Sequence, residues 1–266
     1  MNKIVDFKKF LNSLNESVNS DLNLIGKIDY TLLNPSATED EILELCEKAD
    51  KLGVKSVCVL PKMVSVATDA LKNSEVLVCT VISFPQGTDT TEQKLAETKK
   101  AINDGADEID MVLNYPLLKK ALANEDDYDD LIAEVENDVE TLVDECHHNT
   151  NKDEDPIILK VIVESGLLSL EETEEATHIC LDAGADFIKT STGFASNNIG
   201  AELDKVKLMR RIIREQGLDM KIKASGGIRT MSDLQKFEPY VDRFGVGFAA
   251  VDSIFSDQNK LSNDDY

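Results

Sequence analysis

Four charged residues stand inside apolar segments that the sequence otherwise predicts to be buried strands. Asp110 lies in EIDMVL, Lys160 in ILKVIVE, Lys189 in DFIKTSTG and Lys223 in KIKASGG. Burying a charge is costly unless it is paired, so these side chains need a structural or a chemical reason. For Lys160, a structural ion pair with Glu164 explains the charge at least as well as a catalytic role. We interpret Lys189, Lys223 and Asp110 together as functional.

A lysine at the end of a buried strand can act as a nucleophile toward a carbonyl group. Its amine attacks only when neutral, and both desolvation and a second cation nearby favour the neutral form. We predict that Lys223 is this cation for Lys189. Loss of water then leaves an iminium ion, which accepts electrons when a C–C bond one carbon away breaks. Asp110 is the candidate that moves protons in this step, directly, through a water molecule or through Lys223.

The elements that must position these side chains begin at about residue 24. Eight segments rich in β-branched residues are predicted as strands, at 24–28, 56–60, 77–82, 108–113, 157–163, 187–190, 220–224 and 243–246. Amphipathic segments are predicted as helices at 39–52, 63–72, 90–104, 127–147, 171–183, 202–216, 231–237 and 248–256. Strands that alternate with helices are parallel, so the pattern predicts an α/β fold, a (β/α)8 TIM barrel. An open doubly wound sheet is the alternative.

The predicted barrel domain covers residues 24–256. Residues 1–23 are predicted to form one extra N-terminal helix outside it, and residues 257–266 a flexible C-terminal tail. A weak internal repeat supports the barrel, because a glycine precedes each of three candidate residues, Cys58, Asp110 and Lys189, by five positions. Equal spacing predicts that these three side chains lie at similar heights on different strands.

Glycines that directly follow predicted strands indicate an anion site. Residues 224–230 read ASGGIRT, where Gly226 and Gly227 allow backbone N–H groups to approach an anion closely. The loop after strand seven is a usual phosphate position in barrels. Arg229 is explained equally well as a phosphate contact and as a surface residue. The TSTG segment at 190–193 adds hydroxyl groups and a glycine beside Lys189.

Composition excludes several classes of function. The chain has 28 Lys and Arg against 51 Asp and Glu, a net charge of −23 that repels nucleic acid and anionic membranes, so we expect neither as a partner. Its five cysteines are odd in number and lack C-x-x-C spacing, which argues against a disulfide framework or a thiolate zinc site. The N-terminal segment does not resemble a secretory signal, so we predict a cytoplasmic location.

The quoted segments resemble the deoxyribose-phosphate aldolase family. The resemblance runs from about residue 27 to 251 and includes IDYTLL at 28–33, VCVLP at 57–61, TVISFPQG at 80–87, GADEIDMVLN at 105–114, LKVIVESG at 159–166, GADFIKTSTG at 184–193 and KASGGIRT at 223–230. It implies a class I aldolase that needs no metal or organic cofactor. The implied reaction is reversible cleavage of 2-deoxyribose 5-phosphate to acetaldehyde and glyceraldehyde 3-phosphate. A homodimer or homotetramer is expected.

The resemblance also implies roles for individual residues. By position, Lys189 matches the Schiff-base lysine, Lys223 the second active-site lysine and Asp110 the proton-relay aspartate. The implied substrate and phosphate contacts are Thr31, Cys58, Lys160, Gly193, Gly226 and Gly227, and to these we add Thr192, Gly245 and Gly247 as candidates.

The chain departs from the family after strand eight. A Gly-x-Ser-Ser-like stretch is usual there, whereas Gly247 and Phe248 replace the two serines, and the loop FASNNIG at 194–200 lacks the usual run of glycines. These departures leave the Schiff-base chemistry unchanged but open two alternatives. One is an aldolase of this family with a different or less phosphorylated acceptor, and the other is a sugar-phosphate-binding barrel without activity. Tyr266, a terminal tyrosine as in some members, is interpreted as a chance tail residue.

Overall fold

The computed structural model describes residues 23–255, and they form a closed barrel of eight parallel strands. The strands are β1 (Ile28–Leu32), β2 (Ser56–Val59), β3 (Leu77–Ile82), β4 (Glu108–Val112), β5 (Ile158–Ile162), β6 (Phe187–Lys189), β7 (Lys221–Ser225) and β8 (Arg243–Gly247). Each strand pairs with the next along the chain, and β8 pairs with β1, which closes the barrel. The predicted TIM barrel is therefore confirmed, and the open sheet is not formed.

Helices connect successive strands. The described helices are α1 (Glu39–Leu52), α2 (Val64–Ala70), α3 (Thr91–Asn103), α4 (Tyr115–Leu122), α5 (Tyr128–His147), α6 (Leu170–Asp182), α7 (Leu203–Gln216), α8 (Met231–Phe237) and α9 (Phe248–Phe255). Local sequence fixes their ends. Thr38 and Glu41 form a capping box at the start of α1, and Gly53, in the left-handed conformation, ends that helix. None of the described helices is both long and apolar enough to span a membrane.

The barrel buries its strands on both faces. All six residues of β3 and all five of β4 are buried, as expected for parallel strands that are covered by helices outside and by side chains inside. The main apolar core lies between the strands and the helices. A smaller apolar cluster of Leu33, Cys58, Cys79 and Val81 is separate from that core.

The structure differs from the sequence prediction at two elements. The first strand begins at Ile28 and ends at Leu32, so its predicted position at 24–28 was wrong. The strand includes Asp29, a fully buried carboxylate that interrupts the apolar pattern used to place it. Helix α4 was not predicted; its N-cap is Asn114, whose side chain accepts a hydrogen bond from the backbone N–H of Leu117. The predicted N-terminal helix, apart from residue 23, and the predicted tail with Tyr266 lie outside the described residues.

Candidate active site

A cavity of about 640 Å³ opens at the carboxyl ends of the strands. This is the end of a barrel at which active sites lie. Residues from β1, β6, β7, β8 and the loops that follow them line the cavity: Thr31, Leu33, Asn34, Pro35, Lys189, Thr192, Gly193, Phe194, Ser225, Gly226, Gly227, Ile228, Arg229, Gly245, Gly247, Ala249 and Ala250. Its size suits a small organic substrate.

Lys189 lines this cavity from the last residue of β6. Its side chain is 4% exposed, and its Nζ lies 2.7 Å from Oδ2 of Asp110, to which it donates a hydrogen bond. Lys223, its direct partner across the β6–β7 pair, donates to the same oxygen at 2.7 Å. Two amines therefore share one carboxylate oxygen at the inner end of the cavity.

Asp110 also contacts a third lysine. Lys160, on the neighbouring strand β5, donates from Nζ to Asp110 Oδ1 at 2.9 Å. Burial by itself would raise the pKa of Asp110, but the charges of Lys160, Lys189 and Lys223 outweigh it and hold that pKa well below its usual range. Asp110 is consequently ionised at neutral pH.

Lys223 keeps its charge for a related reason. Burial by itself would lower the pKa of Lys223, but the carboxylates of Asp110 and Asp29 outweigh it and raise that pKa above the usual value. Lys223 Nζ lies 2.5 Å from Asp29 Oδ2, in an ion pair that is fully buried. A positive charge therefore stands beside Lys189, in the place where the sequence predicted a second cation.

Three functional candidates were not singled out from the sequence, namely Asp29, Glu108 and Arg243. The Arg243 guanidinium donates from Nε to Asp29 Oδ1 at 2.8 Å and from Nη2 to Glu108 Oε2 at 3.0 Å. Glu108 Oε2 in turn accepts from Lys160 Nζ at 2.7 Å. For Glu108 and Arg243 the available signal was the same as for Asp110, a charged residue within a predicted strand, whereas Asp29 follows the predicted first strand directly.

The structure separates two candidates from the cavity and places another at its wall. Thr31 lines the cavity. Cys58 and Lys160 are fully buried and do not line it. Cys58 instead lies near Asp110, and Lys160 forms an ion pair with Asp110.

The predicted ion pair between Lys160 and Glu164 is not formed. Lys160 pairs with Glu108 and Asp110, whereas Glu164 accepts hydrogen bonds from the backbone N–H of Thr192 at 3.2 Å and from the Thr192 hydroxyl. Burial raises the pKa of Glu164. Glu164 adopts a left-handed conformation with φ 51°, which turns the chain just after β5 and directs the carboxylate toward the TSTG segment.

Glycines form the wall of the cavity after β6 and β7. Gly193, Gly226 and Gly227 line it and all have positive φ, which favours glycine. Gly226 also packs against Gly200, where an added Cβ would lie 2.9 Å from the Gly200 Cα, so a side chain would displace this loop. Arg229 lines the cavity beside them, which favours its interpretation as an anion contact.

Phe248 does not occupy the position of a phosphate-binding side chain. Its ring packs 5.4 Å from the ring of Tyr30 and lies under the Lys48 ammonium at 4.8 Å, and it is absent from the cavity wall. Gly247, Ala249 and Ala250 line the wall there instead. The substitution in the strand-eight stretch therefore removes hydroxyl groups without filling the cavity.

Among the described residues, Cys58, Cys79 and Asp110 are grouped as potential metal ligands, with ligand atoms within 4.8 Å of one another. Three lysine ammonium groups already contact Asp110, and Lys160 Nζ lies 3.4 Å from Cys79 Sγ. These charges would repel a metal cation. The donor set therefore does not fit a metal site.

Residues 24–238 match the DeoC/LacD family of aldolases. Deoxyribose-phosphate aldolases from Staphylococcus carnosus and a Thermoanaerobacter species are each 41% identical over 90% of this chain, covering 97% and 99% of their own lengths. The tetrameric structure of deoxyribose phosphate aldolase from Aeropyrum pernix is 27% identical, with a TM-score of 0.74, over 90% of this chain and 92% of its own.

Proposed function

Because the chain belongs to the DeoC/LacD family of aldolases, we propose that it cleaves 2-deoxy-D-ribose 5-phosphate reversibly to acetaldehyde and D-glyceraldehyde 3-phosphate. It is a lyase, and we propose that Lys189 forms the Schiff base. The observation that carries this proposal is one lysine amine inside the cavity, in contact with a buried carboxylate that also holds a second lysine. Acetaldehyde and the sugar phosphate are the expected small-molecule partners.

Schiff-base formation begins with attack of the Lys189 amine on the C1 carbonyl carbon of the open-chain sugar. The new C–N bond forms as the carbonyl π electrons move to oxygen, and transfer of a proton from the nitrogen to that oxygen gives a carbinolamine. Loss of the hydroxyl group as water leaves the iminium ion. Asp110 Oδ2 lies 2.7 Å from both Lys189 Nζ and Lys223 Nζ, so it is placed to pass protons between the two amines.

Cleavage then breaks the bond between C2 and C3. A base removes the proton of the C3 hydroxyl, the C2–C3 electron pair moves into the iminium, and glyceraldehyde 3-phosphate departs. An enamine then remains on Lys189. Protonation at C2 and hydrolysis of the resulting iminium release acetaldehyde. We assign the proton transfers to the ionised carboxylate of Asp110, with Lys223 as its charged neighbour. Asp110 Oδ2 contacts the reacting amine of Lys189, and Lys223 contacts the same oxygen.

The phosphate end of the substrate is assigned to the glycine wall. Gly193, Gly226 and Gly227 leave room for backbone N–H groups to reach an anion, and Arg229 adds a positive charge. Thr192, Gly245 and Gly247 also line the cavity and are proposed as further substrate contacts. Gly247 and Phe248, where serine hydroxyls are usual, favour the second candidate, an aldolase with a less phosphorylated acceptor.

We expect kcat/KM to be at least about 100-fold higher for 2-deoxyribose 5-phosphate than for 2-deoxyribose, because charge-assisted hydrogen bonds to a phosphate each contribute about 1.5–3 kcal/mol. A coupled assay of glyceraldehyde 3-phosphate release, with acetaldehyde measured in parallel, checks the first substrate. Acetaldehyde release alone reports the second. Equal kcat/KM for the two sugars would instead support the less phosphorylated acceptor.

Replacing Gly227 by alanine should raise KM for the sugar phosphate about tenfold, because the new methyl group would stand where the phosphate approaches the backbone. Gly217→Ala is the matched control. Both glycines have positive φ, +78° and +68°, and an added Cβ meets nothing within 4 Å at either position, but only Gly227 lines the cavity. Both variants should lose about 1 kcal/mol of unfolding free energy from backbone strain. An equal KM effect in both would argue against a phosphate site at Gly227.

The oligomeric state and the location of the protein stay predictions. A homodimer or homotetramer in the cytoplasm is proposed. Light scattering of the purified protein would test the first.

A further inference from the structure

Six buried side chains form a closed ring in which the sign of the charge alternates. In order around the ring these are Arg243, Asp29, Lys223, Asp110, Lys160 and Glu108, and Glu108 returns to Arg243. The nitrogen–oxygen distances of five of the six ion pairs lie between 2.5 and 3.0 Å, and Arg243 and Asp29 form the sixth. Three cations balance three carboxylates, so the ring is neutral.

Lys189 is attached to this ring from outside. Among residues 23–255 it forms an ion pair with Asp110 alone, whereas each ring cation pairs with two carboxylates. When Lys189 is protonated, the cluster of seven carries one surplus positive charge. Release of the Lys189 proton leaves the cluster neutral, and it disrupts fewer ion pairs than release from any other member.

We propose that Arg243 is a positioning residue for the Schiff-base lysine, although it lies outside the cavity: it closes the charge ring, and its permanent charge favours the neutral, nucleophilic form of the Lys189 amine. The inference rests on the proposed Schiff-base function. Arg243 acts through Asp29 and Glu108 and does not touch the substrate.

The geometry of the guanidinium supports this role. Its Nε and Nη2 contact Asp29, its Nη1 and Nη2 contact Glu108 at 3.2 and 3.0 Å, and Nη2 also donates to Ser56 Oγ at 3.2 Å. Asp29 and Glu108 then hold Lys223 and Lys160 respectively, and both of these lysines contact Asp110. Arginine suits this position because its planar fork bridges two carboxylates and it does not lose its proton.

The groups that face Lys189 itself come from several elements. Asp110 is its ion-pair partner on β4, and Lys223 lies beside it on β7. The carboxylate of Glu164, after β5, and the thiol of Cys58, on β2, also interact electrostatically with the Lys189 ammonium. All four groups remain in place in the variants described next, so a change in the pH dependence reports on the ring.

The test compares Arg243→Gln, Glu108→Gln and the double variant Glu108→Gln/Arg243→Gln. Removing Arg243 leaves three carboxylates against three lysines, so a charged Lys189 is no longer surplus. The acid limb of the pH profile of kcat should move to higher pH by on the order of one pH unit. Near neutral pH, kcat should fall about tenfold with KM nearly unchanged. Removing Glu108 enlarges the surplus and should move the limb downward. The double variant restores a surplus of one, so its limb should lie close to the wild-type position.

Two readouts keep this test separate from the proposed function. One is turnover of 2-deoxyribose 5-phosphate. The other is the rate at which borohydride traps acetaldehyde on the protein across the pH range, which needs Schiff-base formation but no sugar phosphate. Trapping without turnover would reject the proposed substrate and still test Arg243. Absence of trapping in the wild type would reject the Schiff base itself.

Arg210→Gln is the matched control, because Arg210 is also paired with a carboxylate, Asp242, but lies outside the ring. It should leave the acid limb in place. If Arg243→Gln does not fold, the step from Glu108→Gln to the double variant measures the same charge, and the limb should rise by a similar amount. An acid limb that is unmoved in this step, or that moves equally in Arg210→Gln, would overturn the inference.

Discussion

Lys189→Ala should lower kcat/KM for 2-deoxyribose 5-phosphate by at least about 10⁴-fold, because no covalent intermediate can form without the amine. The variant should remain as stable as the wild type. Loss of the Lys189 ammonium leaves Asp110 with Lys160 and Lys223, and the remaining ring of three cations and three carboxylates is neutral. Steady-state kinetics and thermal unfolding measure the two effects.

Lys221→Ala is the control for this variant. Lys221 lies on β7, two residues before Lys223, but its side chain is exposed. Its removal should change kcat/KM less than about twofold, as surface substitutions generally have small effects. Residual turnover by Lys189→Ala within about tenfold of the wild type would mean that another residue carries the reaction.

Asp110→Asn should affect both activity and stability. Three ammonium groups would then surround a neutral amide, and removing one partner from a buried charge cluster costs about 3–5 kcal/mol of unfolding free energy. We also expect kcat to fall by about 10²–10⁴-fold, because the carboxylate that contacts both amines can no longer accept a proton. Urea unfolding and steady-state kinetics test the two effects separately.

Asp138→Asn provides a matched comparison. Asp138 is also a buried carboxylate in an ion pair, with Lys94 Nζ at 2.5 Å, but the pair joins α3 to α5 away from the cavity. This variant should lose a similar unfolding free energy while keeping kcat within about twofold of the wild type. If both variants lost kcat in proportion to their stability, Asp110 would have a structural role only.

The fold could be predicted because its signals are local and repeated. Apolar strands and amphipathic helices alternate along the chain, and parallel strands with helical connections leave few arrangements. The equal spacing of Gly105 to Asp110 and of Gly184 to Lys189 also predicted that the Asp110 and Lys189 side chains lie at similar heights. Lys189 Nζ lies 2.7 Å from Asp110 Oδ2. The number of repeats favoured a closed barrel over an open sheet.

The first strand could not be placed from the same signals. Asp29 makes the segment 28–32 look partly polar, and only the approach of Arg243 and Lys223 from β8 and β7 makes its burial favourable. Those partners are distant in sequence, so the pattern around residue 29 contains no trace of them. For the same reason the sequence suggested a Lys160–Glu164 pair, which are close in sequence, whereas Lys160 contacts Glu108 and Asp110 from the neighbouring strand.

The effect of the substitution at Phe248 depends on the direction in which its side chain points. The sequence shows that a bulky residue replaces a serine, but a side chain at this position can face the cavity or the outer helices. The packing of its ring against Tyr30 settles the direction, and the cavity stays open. The hydroxyl groups are still absent, so the comparison of kcat/KM for the two sugars tests the preference for the sugar phosphate.

Lys189, the lysine that lines the cavity, is the proposed site of the Schiff base. Borohydride reduction in the presence of acetaldehyde, followed by peptide mass spectrometry, tests it most directly. We expect one ethyl group on the peptide that contains Lys189, and no such modification in Lys189→Ala. An ethyl group on Lys223 or Lys160 instead, or an unmodified Lys189 peptide in protein that turns over substrate, would contradict it.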